Sequence, residues 1–165
     1  MSLFHGREAD FETAYDKYAD MLYRLALSHL NNSEDAQDVV HDVFVKYMST
    51  PKLLTGGEHE RAWFVRVTVN QCHDFLRKKK YRNHADLDEI IEMPKQEQEK
   101  LPDIVGMVSK LPEKYKSVVI LHYLEGYSVD EVAKMLRISA SAVKMRLSRG
   151  REMLKNILEK EERGV

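Results

Sequence analysis

The chain carries a single cysteine, Cys72, so an internal disulfide framework is excluded and a reducing compartment is expected. No apolar run reaches the ~18 residues that read as a membrane-spanning helix. The first residues, MSLFHGREADFE, lack the basic segment and long apolar run of a secretory signal. Together these absences predict a soluble, cytoplasmic protein. An excess of one charge sign is also missing: 26 Lys and Arg stand against 27 Asp and Glu, for a net charge of −1. Composition alone therefore does not announce a nucleic-acid binder, and any such function must come from local asymmetry. What remains is 165 residues that are 43% apolar and 32% charged, enough for one globular core or two small ones.

Local asymmetry is strongest between Ser128 and Leu154. Ser128 and Glu131 have the spacing of a capping box. Val129, Val132, Ala133 and Leu136 then repeat at helical spacing. Arg137-Ile138-Ser139 is a break, and Ser139 can cap a second helix. That helix buries Val143, Leu147, Gly150 and Leu154 on one face. Ser141, Lys144, Met145, Ser148 and Lys155 lie opposite, flanked by Arg146 and Arg149. Two helices joined by about three residues, the second with a polar basic face, predict a helix-turn-helix. From Lys134 to Lys155 seven basic residues, Arg151 among them, face only Glu152. Such a footprint suits phosphate binding, and a solvated helix face is the plainer alternative.

The rest of the chain reads as helices too, so the expected fold class is all-α, two small helical domains joined by an acidic linker. Apolar residues from Phe11 to Leu30 keep steps of three and four and predict a long amphipathic helix over 10–30, its aromatics in the core. Asn32 or Ser33 can cap a second helix that runs to about Ser49. Ala36, Val39, Val40, Val43, Phe44 and Tyr47 point inward there, and Asp35, Asp38, His41 and Asp42 outward. Pro51 ends it and Gly56-Gly57 marks a loop. A third helix is expected over 59–80. Its WFVRVTVN run is rich in β-branched residues, but the apolar continuation to Leu76 favours helix. Its far end, Arg77 to Arg82, is densely positive, which suits either a helix C-terminus or phosphates. Residues 83–100 are acidic and interrupted by Pro94, as a linker would be. The expected domains are therefore 1–82 and 101–165, the second with about four helices. Leu111-Pro112-Glu113 starts one of them, with proline in the first turn. His29 and His122, in apolar helices, read as structural, and Cys72 as packed core.

LPEKYKSVVILHYLEGYSVDEVAKMLRISASAVKMRLSRGREML resembles the promoter-upstream DNA-binding domain of bacterial RNA polymerase sigma factors. SEDAQDVVHDVFVKY resembles the sigma helix that docks on the polymerase clamp. AWFVRVTVNQCHDFLRKKKYR resembles the following helix, which reads and melts the downstream promoter element. Two domains in this order with a short linker resemble the extracytoplasmic-function (ECF) subgroup, over roughly residues 8–158. The resemblance implies a transcription initiation factor that binds core RNA polymerase and promoter DNA, uses no cofactor or metal and catalyses nothing itself. Asp38, His41 and Asp42, with Asp35 and Phe44, would belong to the docking helix; the family usually has glutamine in place of His41. Trp63, Arg66, Asn70, Asp74 and Arg77 would lie along the −10 element, and Lys78, Lys79 and Lys80 would hold phosphates. The loop around Gly56 would lie near a flipped base. Ser141, Lys144, Met145, Ser148 and Arg149 would face the −35 element, and Arg146 and Arg151 would hold phosphates or partners within the domain. An anti-sigma factor would be a further partner, and the acidic linker would thread toward the RNA exit path.

Two further departures from the family pattern lie in the turn and in the recognition helix. Arg137 stands where a glycine often ends the first helix in the left-handed conformation. Ala142 and Met145 stand where threonine and serine are common, and Met145 is suited to touching a thymine methyl. Two other readings remain open on sequence grounds. One is a polymerase-independent helix-turn-helix regulator with a dimerising or sensing N-terminal half. The other is a metal site on Asp38, His41 and Asp42, which share one helical turn.

Overall fold

A computed structural model describes the backbone of residues 3–50, 57–85 and 104–164, and the side chains of 10–50, 57–82 and 104–164. Every element among the described residues is helical. α1 spans Leu3–Leu30. It ends where Asn31 turns left-handed, at φ 49°, and donates its N–H to Leu27 O at 2.8 Å. Asparagine tolerates that region better than most residues. α2 spans Ser33–Ser49, and its cap is Asn32, whose side chain accepts from the Asp35 N–H at 3.0 Å. Ser33, the other candidate cap, instead pairs its hydroxyl with Tyr23 Oη at 2.9 Å. α3 spans Gly57–Ala85, so the β-branched run is helical. Phe64, Val65, Thr68 and Cys72 are fully buried at steps of one, three and four, a single apolar stripe.

The centre of the N-terminal half is aromatic. Phe64 lies 4.9 Å from Tyr18, 5.2 Å from Phe44, 4.9 Å from Tyr47 and 5.1 Å from Trp63, centroid to centroid. Each tilted or edge-on pair adds about 0.5–1.5 kcal/mol to simple burial. This cluster locks α1, α2 and α3 together. Tyr15 corrects the expectation of buried aromatics: it is 49% exposed, at the rim of the cluster.

Among its described residues the C-terminal half has four helices. α4 is Ile104–Ser109. α5 is Glu113–Val119, continued by a π-helical turn at Ile120–Leu124. Pro112 caps α5 rather than joining its first turn, because its ψ of 147° is extended. Gly126, at φ 78°, turns the chain into α6, Val129–Leu136. Both arms of the capping box form: Ser128 Oγ accepts from the Glu131 N–H at 3.1 Å, and Glu131 Oε1 from the Ser128 N–H at 3.3 Å. α7 is Ala140–Glu162, capped by Ser139, whose Oγ accepts from the Ala142 N–H at 3.0 Å. Between α6 and α7 Arg137 takes the left-handed conformation, φ 56° and ψ 44°. Met135, absent from the apolar stripe read in the sequence, is 2% exposed. Gly150 lets α7 approach α5: a Cβ there would sit 3.0 Å from Val119 Cγ2.

The two halves pack against each other. α1 runs along α4 and α5, and α6 lies on α3. Polar contacts mark that seam: Arg24 with Glu125, His29 with Ser117 and Glu113, and Arg61 with Glu131. The Arg61 guanidinium also lies 4.5 Å from the centroid of the Tyr127 ring. The predicted linker is almost wholly outside the described residues, as is the loop around Gly56.

Candidate functional site

Three surfaces hold the residues singled out in the sequence. The first is the outer face of α2. Asp38, His41 and Asp42 are exposed there, one helical turn in all. Asp35 is half-buried, and its pKa is raised by burial and by the neighbouring Asp38 and Glu34 charges, with Lys79 opposing. Phe44 is 2% exposed, so it shapes this face from beneath rather than presenting itself. Beside the acidic turn, α1 and α2 enclose an open groove of about 570 Å³. Phe11, Tyr15, Tyr23 and Phe44 supply its apolar wall, and Asp20, Asp38 and His41 its polar one. An apolar trough with an acidic rim fits a helical partner with basic flanks. Tyr15 and Asp20 are not legible in this role from the sequence, where the aromatics of α1 read as core and Asp20 stands in no motif. Asp38, His41 and Asp42 do not bring three ligand atoms within reach of one ion.

The second surface follows α3. Trp63, Arg66, Asn70, Asp74 and Arg77 recur at steps of three and four, a stripe about 21 Å long. Trp63 is half-buried against Tyr47 and Phe64. Asn70, Asp74, Arg77, Lys78, Lys79 and Lys80 are exposed. Arg77 pairs with Asp74, so part of its charge is committed within the helix. Arg66 is half-buried, and its pKa is lowered by burial and by the nearby Arg137 of the C-terminal half. Past Arg77 a shallow groove of about 360 Å³ is lined by Arg77, Lys78, Tyr81 and Arg82. Tyr81 is 82% exposed. A free aromatic ring among cations is what base stacking on a single strand requires. Its place inside RKKKYR was the signal for it in the sequence.

The third surface is the N-terminal part of α7. Ser141, Lys144, Met145, Ser148, Arg149 and Arg151 are exposed, while Arg146 is half-buried. Val143, Leu147 and Gly150 occupy the opposite, buried face. α6 and α7 thus present a helix-turn-helix whose second helix offers cations and short hydroxyls, the chemistry of a major-groove reader.

Known proteins share both halves. Residues 14–82 match the family model described as Sigma-70 region 2, and residues 103–154 the one described as Sigma-70, region 4. The RNA polymerase sigma factor SigV of Bacillus subtilis is 33% identical over 143 residues, covering 85% of this chain and 86% of SigV. The chain belongs to the sigma-70 family of RNA polymerase sigma factors. Its relatives place it in the ECF subgroup: the ECF RNA polymerase sigma factor SigW of Bacillus subtilis is 28% identical over 170 residues, covering 93% of this chain and 91% of SigW. Members of this family are transcription initiation factors. The sigma fold extends across the chain. The sigma factor RpoE, solved in complex with the anti-sigma factor NepR from Bartonella quintana, superposes with a TM-score of 0.71 at 21% identity, covering 91% of this chain and 97% of RpoE. CnrH, solved with the cytosolic domain of CnrY, gives 0.62 at 22% identity and covers 93% of this sigma factor and 90% of CnrH. Among its described residues, no helix of this sigma factor is long and apolar enough to cross a membrane.

Proposed function

We propose that this sigma factor binds core RNA polymerase through the outer face of α2 and the groove beside it. With polymerase it directs transcription from promoters read by two separate DNA surfaces. Asp35, Asp38, His41 and Asp42, backed by Phe44, form the docking face. Trp63, Arg66, Asn70, Asp74 and Arg77, followed by Lys78 to Lys80, meet the melted −10 strand. Ser141, Lys144, Met145, Ser148 and Arg149 meet −35 base edges, with Arg146 and Arg151 on phosphates. Domains at 1–82 and 101–165, joined by the acidic stretch 83–100, carry these tasks. The factor catalyses nothing itself and needs no cofactor for these tasks.

One observation carries the reading: an exposed acidic turn and two exposed basic faces stand on three different helices of one chain. A lone operator-binding module needs only one basic face. Phosphate contacts on α7 set register while base edges set choice. On α3, stacking of unpaired bases is worth about 1–3 kcal/mol per base and shifts the equilibrium toward melted DNA. Tethering both DNA surfaces to polymerase raises their effective concentration, so weak individual sites suffice. An anti-sigma factor as a further partner is supported by the RpoE relative, which was solved with one.

Run-off transcription with purified core polymerase tests this. Specific transcripts should depend on adding the factor. Lys144→Ala and Arg149→Ala should damage promoter choice while leaving polymerase affinity intact, and Asp38→Ala or Asp42→Ala should do the reverse. A protein that ignores polymerase but binds a symmetric operator as a dimer would refute the proposal.

A further inference from the structure

Bordering the basic end of the α3 surface, the seam between the halves gathers His29 of α1, His73 of α3 and Glu113 of α5. One ligand atom from each lies within 4.8 Å of the others. We propose that these three side chains form a binding site for a transition-metal dication of the zinc type, which would clip the two halves together.

His29 is 3% exposed and fixed at both ring nitrogens. Its Nε2 lies 2.9 Å from Ser117 Oγ, and its Nδ1 lies 2.6 Å from Glu113 Oε2. A ring nitrogen and a carboxylate oxygen this close need a positive centre between them, either a proton or a metal. In the metal-free protein Nδ1–H donates to the carboxylate and Nε2 accepts from the Ser117 hydroxyl. A dication would displace the Nδ1 proton to solvent, and Nε2–H would then donate to Ser117 Oγ, the tautomer that metal-binding imidazoles adopt when their second nitrogen is held by a hydrogen bond. The other Glu113 oxygen, Oε1, accepts from Lys116 Nζ at 2.7 Å, so the carboxylate is oriented as well. His73 closes the third side. Its Nε2 lies 3.7 Å from Glu113 Oε2, and its ring stands at 86° to that of His29, centroids 5.5 Å apart.

Two imidazoles and one carboxylate are a zinc-type donor set with one position left for water. Magnesium and calcium prefer all-oxygen shells and are disfavoured. Tetrahedral bonds of about 2.0–2.1 Å place ligand atoms roughly 3.3 Å apart, so the His29–Glu113 pair must open slightly and His73 swing inward by about 1 Å. The His73 side chain is 45% exposed and has that freedom. An ion can enter from an open groove lined by His73, Leu76, Arg77, Lys80 and Glu113. Lys116, Arg77 and Lys80 oppose a dication electrostatically, so affinity must come from the imidazoles. Because His29 and His73 belong to the N-terminal helices and Glu113 to the C-terminal ones, a bound ion bridges elements 84 residues apart.

The test is cobalt and zinc titration of the full chain. One equivalent of Co²⁺ should produce the visible bands of a tetrahedral nitrogen-and-oxygen site, displaced by Zn²⁺ and untouched by Mg²⁺. Excess Zn²⁺ should raise the melting temperature by roughly 5 °C or more. His73→Ala should remove both effects while its metal-free melting temperature stays close to wild type, since His73 is exposed. If His73→Ala is itself unstable, His73→Asn serves the same purpose. Bands of equal strength in either folded variant would place the ion on other histidines and overturn the proposal, as would the absence of saturable one-to-one binding.

Discussion

Arg24 on α1 holds Glu125 beyond α5 by two parallel hydrogen bonds, Nε to Oε1 at 2.6 Å and Nη2 to Oε2 at 3.1 Å, across 101 residues of sequence. The Glu125 side chain is only 11% exposed. A two-pronged guanidinium–carboxylate pair in partial shelter is among the stronger polar contacts available to a protein. Removing Arg24 leaves a largely dehydrated carboxylate. Arg24→Ala should therefore cost about 1–3 kcal/mol in urea unfolding. Combined with Arg61→Ala, which also removes the Glu131 and Tyr127 contacts, it should let the halves separate. Small-angle scattering should then show a larger radius of gyration while circular dichroism shows unchanged helix. An unchanged radius would mean that the apolar contacts and the His29 hydrogen bonds suffice to hold the seam.

Gly150 sets the spacing of α7 on α5. Alanine there gains helix propensity but meets Val119 Cγ2 at 3.0 Å. A bulkier residue has no such compensation, so Gly150→Val should destabilise by about 1–3 kcal/mol. Adding Val119→Ala should recover part of that loss. Strict additivity in the double-mutant cycle would show that the two sites do not touch.

Arg137 pays for its left-handed conformation, and it lies near Arg66. Glycine adopts that conformation without strain, although its freer unfolded chain returns part of the gain. Arg137→Gly is expected to raise stability by up to about 1 kcal/mol, read from the denaturation midpoint at unchanged slope. A loss of stability would mean that the Arg137 side chain makes compensating contacts.

Glu131 titrates below its ordinary value of 4.5, because the Ser128 backbone and hydroxyl hydrogen-bond it and Arg61 lies close, against a smaller opposing effect of burial. A folded-state pKa below the unfolded one contributes stability above the unfolded value. That contribution is lost as pH falls through 4.5 toward the lowered value. Glu131→Gln keeps an acceptor for the cap but cannot titrate. Its stability should therefore fall less steeply below pH 4.5 than that of the wild type, and identical slopes would exclude this carboxylate from acid unfolding.

Salt dependence separates phosphate contacts from base contacts. Lys144→Ala and Arg149→Ala in the holoenzyme should each lower the slope of log K against log salt on promoter duplex by about 1 if they meet phosphates. If they read bases, as proposed, the slope should change little while discrimination between promoter sequences falls by about 1–3 kcal/mol per lost contact.

Much of this molecule was legible before its structure. Helix positions, the Ser128–Glu131 capping box, the Ser139 cap, the helix-turn-helix and the exposed polar faces all follow from residues within a turn or two of each other. Spacing of three and four states which side faces out, and capping side chains state where a helix begins. The left-handed turn at Arg137 was pointed to by the family resemblance, which often has glycine there, but an altered turn was equally open until the structure decided it. Tertiary packing decided the rest. It buried Met135, left Tyr15 at a groove rim, chose Asn32 over Ser33 as a cap, and introduced a π-helical turn at Ile120–Leu124. Above all, it laid the two halves together, bringing Arg24 to Glu125 and His29 to Glu113 and His73. No periodicity encodes a meeting between residues 84 or 101 positions apart. Such pairs arise only when whole apolar faces find each other, and the polar groups carried along must then be satisfied by whatever lies opposite.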